Sequence, residues 1–338
     1  NKYYFGRPGV YGNRYSNIIL QKADLLISIG SRLSIPLIGR KKYDFAKNAK
    51  KIIIDIDKNE LIKKTIKPDL SINVSSDIVI NYLLKNSLKI KNYEKWIKIC
   101  KKIKKEISFK DENYFDNVGI NPYNFIKYLS KIIPSKSIIF MDGGPIMNYV
   151  MQGFEVKLNQ RIITNSGLDS EGFALPASLG IDQISPFKNV VVICDELSIF
   201  SILENIEKIK KTNFNYKVFI LHGAKNIALQ NSQRDFFGSR YVATKSIDNK
   251  NDPFRNIKIN NINLKIKKII SPKKYKKQIL NTFKNNKIEI FSIKLDPEHK
   301  LKPKLGFSID FDGNWFPKPL EDMYPFLDGK KLEKIMKI

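Results

Sequence analysis

The amino-acid sequence predicts an α/β protein made of two doubly wound parallel-sheet domains. Two stretches of the chain alternate short apolar runs with helical patterns, and a polar stretch at residues 88–118 separates them. This alternation is typical of parallel strands that are connected by helices. The chain has 338 residues, of which 42% are hydrophobic. It is therefore long enough for two packed cores, and its composition excludes general disorder.

The first predicted domain covers residues 1–87. Its strands are predicted from short apolar runs at 23–30, which ends in Gly, at 51–57, which ends in Asp, and at 70–74. Buried parallel strands have this near-continuous apolar character. Asp57 followed by Glu60 is a helix-start pattern, with a capping carboxylate and a glutamate three residues later. Further helices are predicted at 43–50 and 77–84.

Residues 88–118 are interpreted as a connection with one helix around Trp96, and residues 119–338 as the second domain. Asn121-Pro122 predicts a helix start, because proline is favoured at the first helical position. Four apolar runs predict the strands of a second parallel sheet, at 137–141, 189–194, 217–221 and 287–295. The basic region 243–275 shows no clear pattern.

The net charge is +27, from 60 Lys and Arg against 33 Asp and Glu. Only 8 of the basic residues are Arg, the side chain that nucleic-acid readers use for bidentate contacts. We therefore interpret the lysine excess mainly as compositional bias and expect no specific nucleic-acid partner. A polyanion-binding surface stays open as an alternative.

Membrane insertion is not expected, because the longest apolar runs fall far short of the ~20 residues that a spanning helix needs. Two cysteines cannot form a disulfide framework, so we expect a reducing, cytoplasmic location. The chain starts at Asn1 without a methionine or a signal-peptide pattern, which suggests a segment of a longer polypeptide.

The order of these segments resembles thiamine diphosphate-dependent enzymes of the acetolactate synthase type. Matching stretches are found in both predicted domains, at 4–12, 23–33, 54–57, 142–144 and 172–180 and around Asp195. The resemblance implies a central domain followed by a diphosphate-binding domain. The terminal stretch 318–325 resembles members associated with surface-polysaccharide sugar biosynthesis. The pyrimidine-binding domain that carries the family's catalytic glutamate has no counterpart here, so no catalytic residue is assigned.

The resemblance also implies a cofactor site at the ends of the second domain's strands. Family members hold diphosphate and Mg²⁺ through Gly-Asp-Gly and, about 27 residues later, Asn-Asn. The matching cofactor-binding positions are Asp142, Gly143, Gly144, Glu171, Gly172, Asp195, Glu196, Leu197, His222 and Gly223. The metal-binding positions are Asp195, Gly223 and the main-chain carbonyl of Lys225. Oxygen ligands at a strand end suit Mg²⁺, and a following helix start suits phosphate.

The sequence departs from the family pattern at three places, which together involve four residues. Glu196 stands where a glycine is expected, His222-Gly223 stands where Asn-Asn is expected, and Glu171 stands where a large apolar residue supports the cofactor. A carboxylate beside diphosphate is repelled unless a metal lies between them. Imidazole is a poor ligand for Mg²⁺, and glycine offers no side-chain oxygen.

Two hypotheses follow. The first is an acetolactate synthase-like enzyme that uses thiamine diphosphate and Mg²⁺ on a 2-oxo acid and forms a homo-oligomer. The second is a non-catalytic relative that lacks the cofactor and acts as a binding or regulatory partner. FAD is a further option through Arg32, Asp55 and Asp57, although helix capping is the favoured role for these residues. His299 is interpreted as a loop histidine, and Cys194 as the buried end of a strand.

Overall fold

The computed structural model describes residues 2–86, 93–107, 118–170, 172–183, 187–224, 226–244 and 266–338. The chain forms two compact units, Asn1–Asn113 with Lys302–Ile338, and Tyr114–Leu301. The sequence-based division differs from these units, because it placed residues 302–338 in the second domain. No helix in the described part of the chain is long and apolar enough to cross a membrane.

The first unit contains a three-stranded parallel sheet in the order β1-β2-β3. Its strands are β1 (Leu25–Ile29), β2 (Lys50–Asp55) and β3 (Leu70–Asn73), which confirms the three predicted strands. The accompanying helices are α1 (Arg14–Gln21), α2 (Ile35–Ile38), α3 (Lys58–Ile62), α4 (Ser76–Lys85) and α5 (Glu94–Glu106). The side chain of Asp57 accepts a hydrogen bond from the Asn59 amide, so α3 starts as predicted.

The predicted helix at 43–50 is wrong. Only a short 3₁₀ turn, Lys42–Asp44, is present there. The Ala46 backbone has a φ of 43°, which a right-handed helix does not allow, and its N–H donates to the side chain of Gln21. A tertiary hydrogen bond therefore replaces the helical bonds that the local pattern predicted.

The second unit contains a six-stranded, entirely parallel sheet in the order β5-β4-β6-β7-β9-β8. The strands are β4 (Ser137–Met141), β5 (Arg161–Ile163), β6 (Asn189–Asp195), β7 (Asn215–His222), β8 (Ile266–Ile269) and β9 (Glu289–Lys294). The helices are α6 (Pro122–Ile132), α7 (Gly144–Gly153), α8 (Ala174–Ser178), α9 (Ile199–Lys210), α10 (Ile227–Phe236) and α11 (Tyr275–Ile279). Parallel sheets with helices in both units confirm the predicted α/β fold class.

Alternate residues of the central strands fill separate layers on the two faces of this sheet. Val192 and Val218 belong to a buried cluster that includes Leu175 from α8. On the other face, Phe219 lies edge-on against Phe125 of α6 and stacks on Phe291 of β9. Burial on both faces explains why these strands are apolar at successive positions rather than at alternate ones.

Within the first unit, the C-terminal segment is held by side chains of α1. Arg14 donates hydrogen bonds to the carbonyls of Met323 and Pro325, and Asn17 donates to the carbonyl of Leu320. Leu320 also lies in the apolar core of this unit. The segment adds β10 (Lys304–Leu305), β11 (Phe307–Ile309), β12 (Trp315–Pro317), β13 (Met323–Tyr324) and α12 (Gly329–Met336).

Candidate functional site

The order of strands in the second sheet reverses between β4 and β6. The chain moves outward from β4 to β5, and then returns to the other side of β4 with β6. In open parallel sheets, such a reversal leaves a crevice at the carboxyl ends of the two strands, which is the usual ligand-binding position. The loops after β4, β6 and β7 all lie at this edge, which we call the carboxyl edge.

Asp142, which directly follows β4, ties two neighbouring loops to the carboxyl edge. Its Oδ1 accepts a hydrogen bond from the Ala174 amide at 2.8 Å, and its Oδ2 accepts one from Ser198 Oγ at 2.7 Å. The side chain is buried, and burial raises the pKa of this carboxyl although these hydrogen bonds act in the opposite direction. Asp142 therefore holds the starts of α8 and α9 in place.

Gly143 and Gly144 lie under the carboxylate of Asp169. A Cβ added to Gly143 would overlap Asp169 Oδ1 and lie 3.0 Å from the Asp169 Cα, so a larger residue would require Asp169 to move. Gly144 begins α7 with a φ of 61°, and its N–H donates to the same Oδ1. Gly172, at a φ of 73°, ends the loop that contains Asp169. Glu171 lies outside the described residues.

Asp195 and Glu196 stand at the end of β6. Asp195 is the last residue of the strand and is 6% exposed. Glu196 and Leu197 belong to the 3₁₀ turn that follows it. Cys194 is fully buried in β6, and burial raises the pKa of its thiol well above the ordinary value. This agrees with the structural role predicted for Cys194, because a reactive cysteine needs a stabilised thiolate.

His222 and Gly223 stand beside them at the end of β7. Asp195 pairs with Leu221 in the parallel register, so the residues that follow each strand lie at the same edge. Glu196 Oε2 accepts a hydrogen bond from the Gly223 amide at 3.3 Å. Gly223 has a φ of 96°, and an added Cβ would approach only Leu295, at 3.9 Å. Lys225 lies outside the described residues.

The donor set at the carboxyl edge does not reproduce a magnesium–diphosphate site. Asp195 offers the carboxylate oxygen that such a site needs, but Gly223 has no side chain and Glu196 adds a second negative charge. Within the described ranges, no three His, Cys, Asp or Glu side chains are grouped so as to hold a metal ion. The structure thus brings together Asp195, Glu196, His222 and Gly223, a set that includes the implied aspartate but not the family's pair of asparagine side chains.

A buried pair that the sequence analysis did not find lies in the same unit. Tyr149 Oη and His299 Nε2 are 2.6 Å apart, and His299 Nδ1 is hydrogen-bonded to the main-chain carbonyl of Asp296. Nδ1 is therefore the protonated nitrogen, and Nε2 accepts the hydrogen of the Tyr149 hydroxyl. Burial, the neighbouring Tyr123 and the charge of Glu196 together raise the pKa of Tyr149. His299 is thus a buried, hydrogen-bonded residue of a loop.

In the first unit, Arg32, Asp55 and Asp57 make local contacts. Arg32 Nε donates to Glu60 at 2.9 Å, Asp55 accepts from the amide of Asp57, and Asp57 caps α3. The cap that Asp57 makes on α3 is the helix-capping role that the sequence analysis favoured, whereas Arg32 forms an ion pair with Glu60 and Asp55 is buried.

Comparison with known proteins gives two family matches. Residues 1–83 match the central domain of thiamine pyrophosphate enzymes, and residues 142–288 match their C-terminal TPP-binding domain. The second match contains the carboxyl edge from Asp142 to Gly223.

Among curated proteins, the isozyme 2 large subunit of acetolactate synthase from Escherichia coli K12 is 28% identical over 249 residues, 73% of this chain and 44% of that protein. A probable acetolactate synthase large subunit from Methanocaldococcus jannaschii is 27% identical over 306 residues, 88% of this chain and 50% of that protein. The Lactococcus lactis large subunit is 32% identical over 187 residues, 55% of this chain and 32% of that protein. The chain spans about half the length of the first two relatives or less. With the two domain matches in consecutive order, the chain belongs to the thiamine pyrophosphate enzyme family, of which it contains the central and C-terminal domains.

Proposed function

We propose that this chain is part of an acetolactate synthase-like enzyme that uses thiamine diphosphate to decarboxylate a 2-oxo acid and transfer the product to an acceptor. The observation that carries the proposal is the position of Asp195, the last residue of β6, at the carboxyl edge where the strand order reverses between β4 and β6. The chain's similarity to acetolactate synthase large subunits supports the same class of reaction.

Within this proposal, each described part of the carboxyl edge has a separate task. Asp142 fixes the loops that frame the crevice, and Asp195 presents the oxygen suited to a divalent cation. The cofactor, when bound, supplies the carbanion-stabilising chemistry. The same proposal includes a cytoplasmic homo-oligomer that depends on Mg²⁺. It also includes a role in surface-polysaccharide sugar biosynthesis, which rests on the resemblance of residues 318–325.

Calorimetric titration of the intact protein with thiamine diphosphate and MgCl₂ tests the proposal, together with CO₂ release from a panel of 2-oxo acids. We expect saturable binding that disappears in the variant Asp195→Ala, and CO₂ release that depends on the cofactor. Absence of both binding and CO₂ release in the intact protein would refute the enzymatic proposal.

A second candidate is a non-catalytic relative that serves as a binding or regulatory partner. The observation that favours it is the hydrogen bond between Glu196 and Gly223, at two positions where the family pattern has other residues. The double variant Glu196→Gly with Gly223→Asn restores the family residues at these positions. Binding of thiamine diphosphate by this variant but not by the natural sequence would support the second candidate, and equal binding would contradict it.

A further inference from the structure

Two carboxylates of the chain bind main-chain N–H groups at the carboxyl edge. Glu196 Oε2 accepts from Gly223 at 3.3 Å, at the end of β7. Asp169 Oδ1 accepts from Gly144, at the start of α7. Both glycines have a positive φ, 96° for Gly223 and 61° for Gly144. Their amides belong to a turn after a strand and to a helix start, where main-chain N–H groups are commonly used to bind phosphate.

A carboxylate and a phosphate oxygen compete for such an amide, because each is an anionic hydrogen-bond acceptor. Glu196 makes its contact across two neighbouring strands, from the turn after β6 to the turn after β7. It therefore lies over the point where the ends of β6 and β7 meet. A polyphosphate at this point would have to displace Glu196 or bind with that negative charge only a few ångströms away, and like charges at such short range repel each other.

We propose that the Glu196 carboxylate is an internal occupant of the anion position at the carboxyl edge, and that it lowers the affinity of this edge for diphosphate. This inference rests on the proposed function, because diphosphate is the anion expected there. Asp169 acts in the same way at Gly144, and its carboxylate also fills the space above Gly143. Both contacts lie within the second unit, so neither requires a second chain.

The variant Glu196→Gln tests the inference most directly. Glutamine has nearly the same shape and can still accept the Gly223 N–H through its amide oxygen, so the variant removes the charge and retains the contact. Glu196→Gly removes the side chain completely. Glu207→Gln is the matched control, because Glu207 is exposed on α9 and its substitution makes the same change in net charge.

Calorimetry on the intact protein and the three variants would use inorganic pyrophosphate and thiamine diphosphate as ligands, each with and without MgCl₂. Thermal unfolding of every variant shows whether it is folded. We expect Glu196→Gln to bind pyrophosphate about tenfold more tightly than the natural sequence, because one negative charge at a few ångströms has been removed. Glu196→Gly is expected to bind at least as tightly as Glu196→Gln, and Glu207→Gln to bind like the natural sequence.

Equal or weaker binding by Glu196→Gln would overturn the inference. In particular, a loss of Mg²⁺-dependent binding would mean that Glu196 is a metal ligand. Absence of binding in the natural sequence and in both Glu196 variants would also overturn it, since removal of the carboxylate would then create no anion site. The proposed function is judged separately. If the natural sequence binds thiamine diphosphate as tightly as Glu196→Gln does, the enzyme proposal survives and this inference falls. If only the Glu196 variants bind, the inference survives and the enzyme proposal falls.

Discussion

Replacement of His299 by glutamine should remove a specific pH dependence from the stability of the second unit. His299 is 4% exposed, and both ring nitrogens are hydrogen-bonded, to Tyr149 and to the Asp296 carbonyl. The Nε2 atom accepts a hydrogen bond in this arrangement, so the neutral ring satisfies both contacts. Burial lowers the pKa of His299 from 6.5 to about 4, because a charged imidazolium would lose its hydration.

The sign and size of the effect follow from the difference between the folded and unfolded pKa values. Between pH 6.5 and 4 the unfolded chain binds a proton that the folded chain does not, so stability falls as the pH is lowered through this range. With a folded pKa of about 4, the folded state should lose roughly 2 kcal/mol between pH 7 and pH 5. Glutamine does not titrate, so the variant His299→Gln should lack this loss. The difference in stability between the natural sequence and the variant should therefore be roughly 2 kcal/mol smaller at pH 5 than at pH 7.

Hydrogen exchange followed by mass spectrometry can measure the stability of the second unit alone at each pH. The peptides to follow are those that cover β4 (Ser137–Met141) and β7 (Asn215–His222). Both tryptophans, Trp96 and Trp315, lie in the first unit, so urea unfolding followed by tryptophan fluorescence is an internal control. Comparing the two proteins at the same pH cancels the contributions of carboxyl groups. An equal loss of protection in the variant and in the natural sequence would refute the reasoning. So would a natural sequence whose protection free energy is the same at both pH values.

Further substitutions probe three sets of buried polar contacts. Glu289→Gln should destabilise the second unit by about 3–5 kcal/mol, because it leaves the fully buried Lys217 without its charged partner. Lys217→Met should cost less, and hydrogen exchange of the peptides that cover β7 measures both losses. Since the pKa of Glu289 is lowered to about 2, its stabilising contribution should be present above pH 4.5 and be lost as the pH falls towards 2. Asp142→Ala should lower the stability of the second unit by about 2–4 kcal/mol, because it leaves the Ala174 amide and the Ser198 hydroxyl without acceptors. Asp142→Asn should lower it by less. Equal losses of stability in the two variants would contradict the assigned contacts. Asn17→Ala should destabilise the first unit by about 2–3 kcal/mol, seen as a lower urea midpoint in tryptophan fluorescence, because its amide binds both the Gly9 loop and Leu320.

The strands that could be predicted from the sequence are those with continuous apolar runs. Ser137–Met141 is buried at every position and was predicted with its observed bounds. By contrast, Ile266–Ile269 has two lysines in four residues, and its register beside β9 depends on a neighbour that is distant in sequence. The helix Gly144–Gly153 was also missed, because Gly-Gly-Pro is typical of a loop. Its first turn is instead held by the Asp169 side chain, 25 residues away.

The candidate site shows the same division between local and tertiary information. The sequence alone could place Asp195 and His222-Gly223 at strand ends, because each follows an apolar run. It could not show that the Glu196 carboxylate meets the Gly223 amide, since this contact depends on the register of β6 against β7. The pairing of Tyr149 with His299 spans 150 residues and has no local signal at all. Side chains that reach across the fold therefore lie beyond what sequence patterns can predict.

The net charge of +27 and the Glu196 carboxylate would act on an anionic ligand at different distances. Surface lysines attract anions over a range that physiological salt limits to about 8 Å, so their main influence is on the rate of association. Glu196 acts in direct contact with the amide that an anion would use, where salt screens much less. Raising the salt concentration should therefore slow binding of pyrophosphate to every variant, while the ratio of affinities between Glu196→Gln and the natural sequence should change little. If that ratio fell to one at high salt, Glu196 would be acting only as a distant surface charge, and its contact with Gly223 would not control the site.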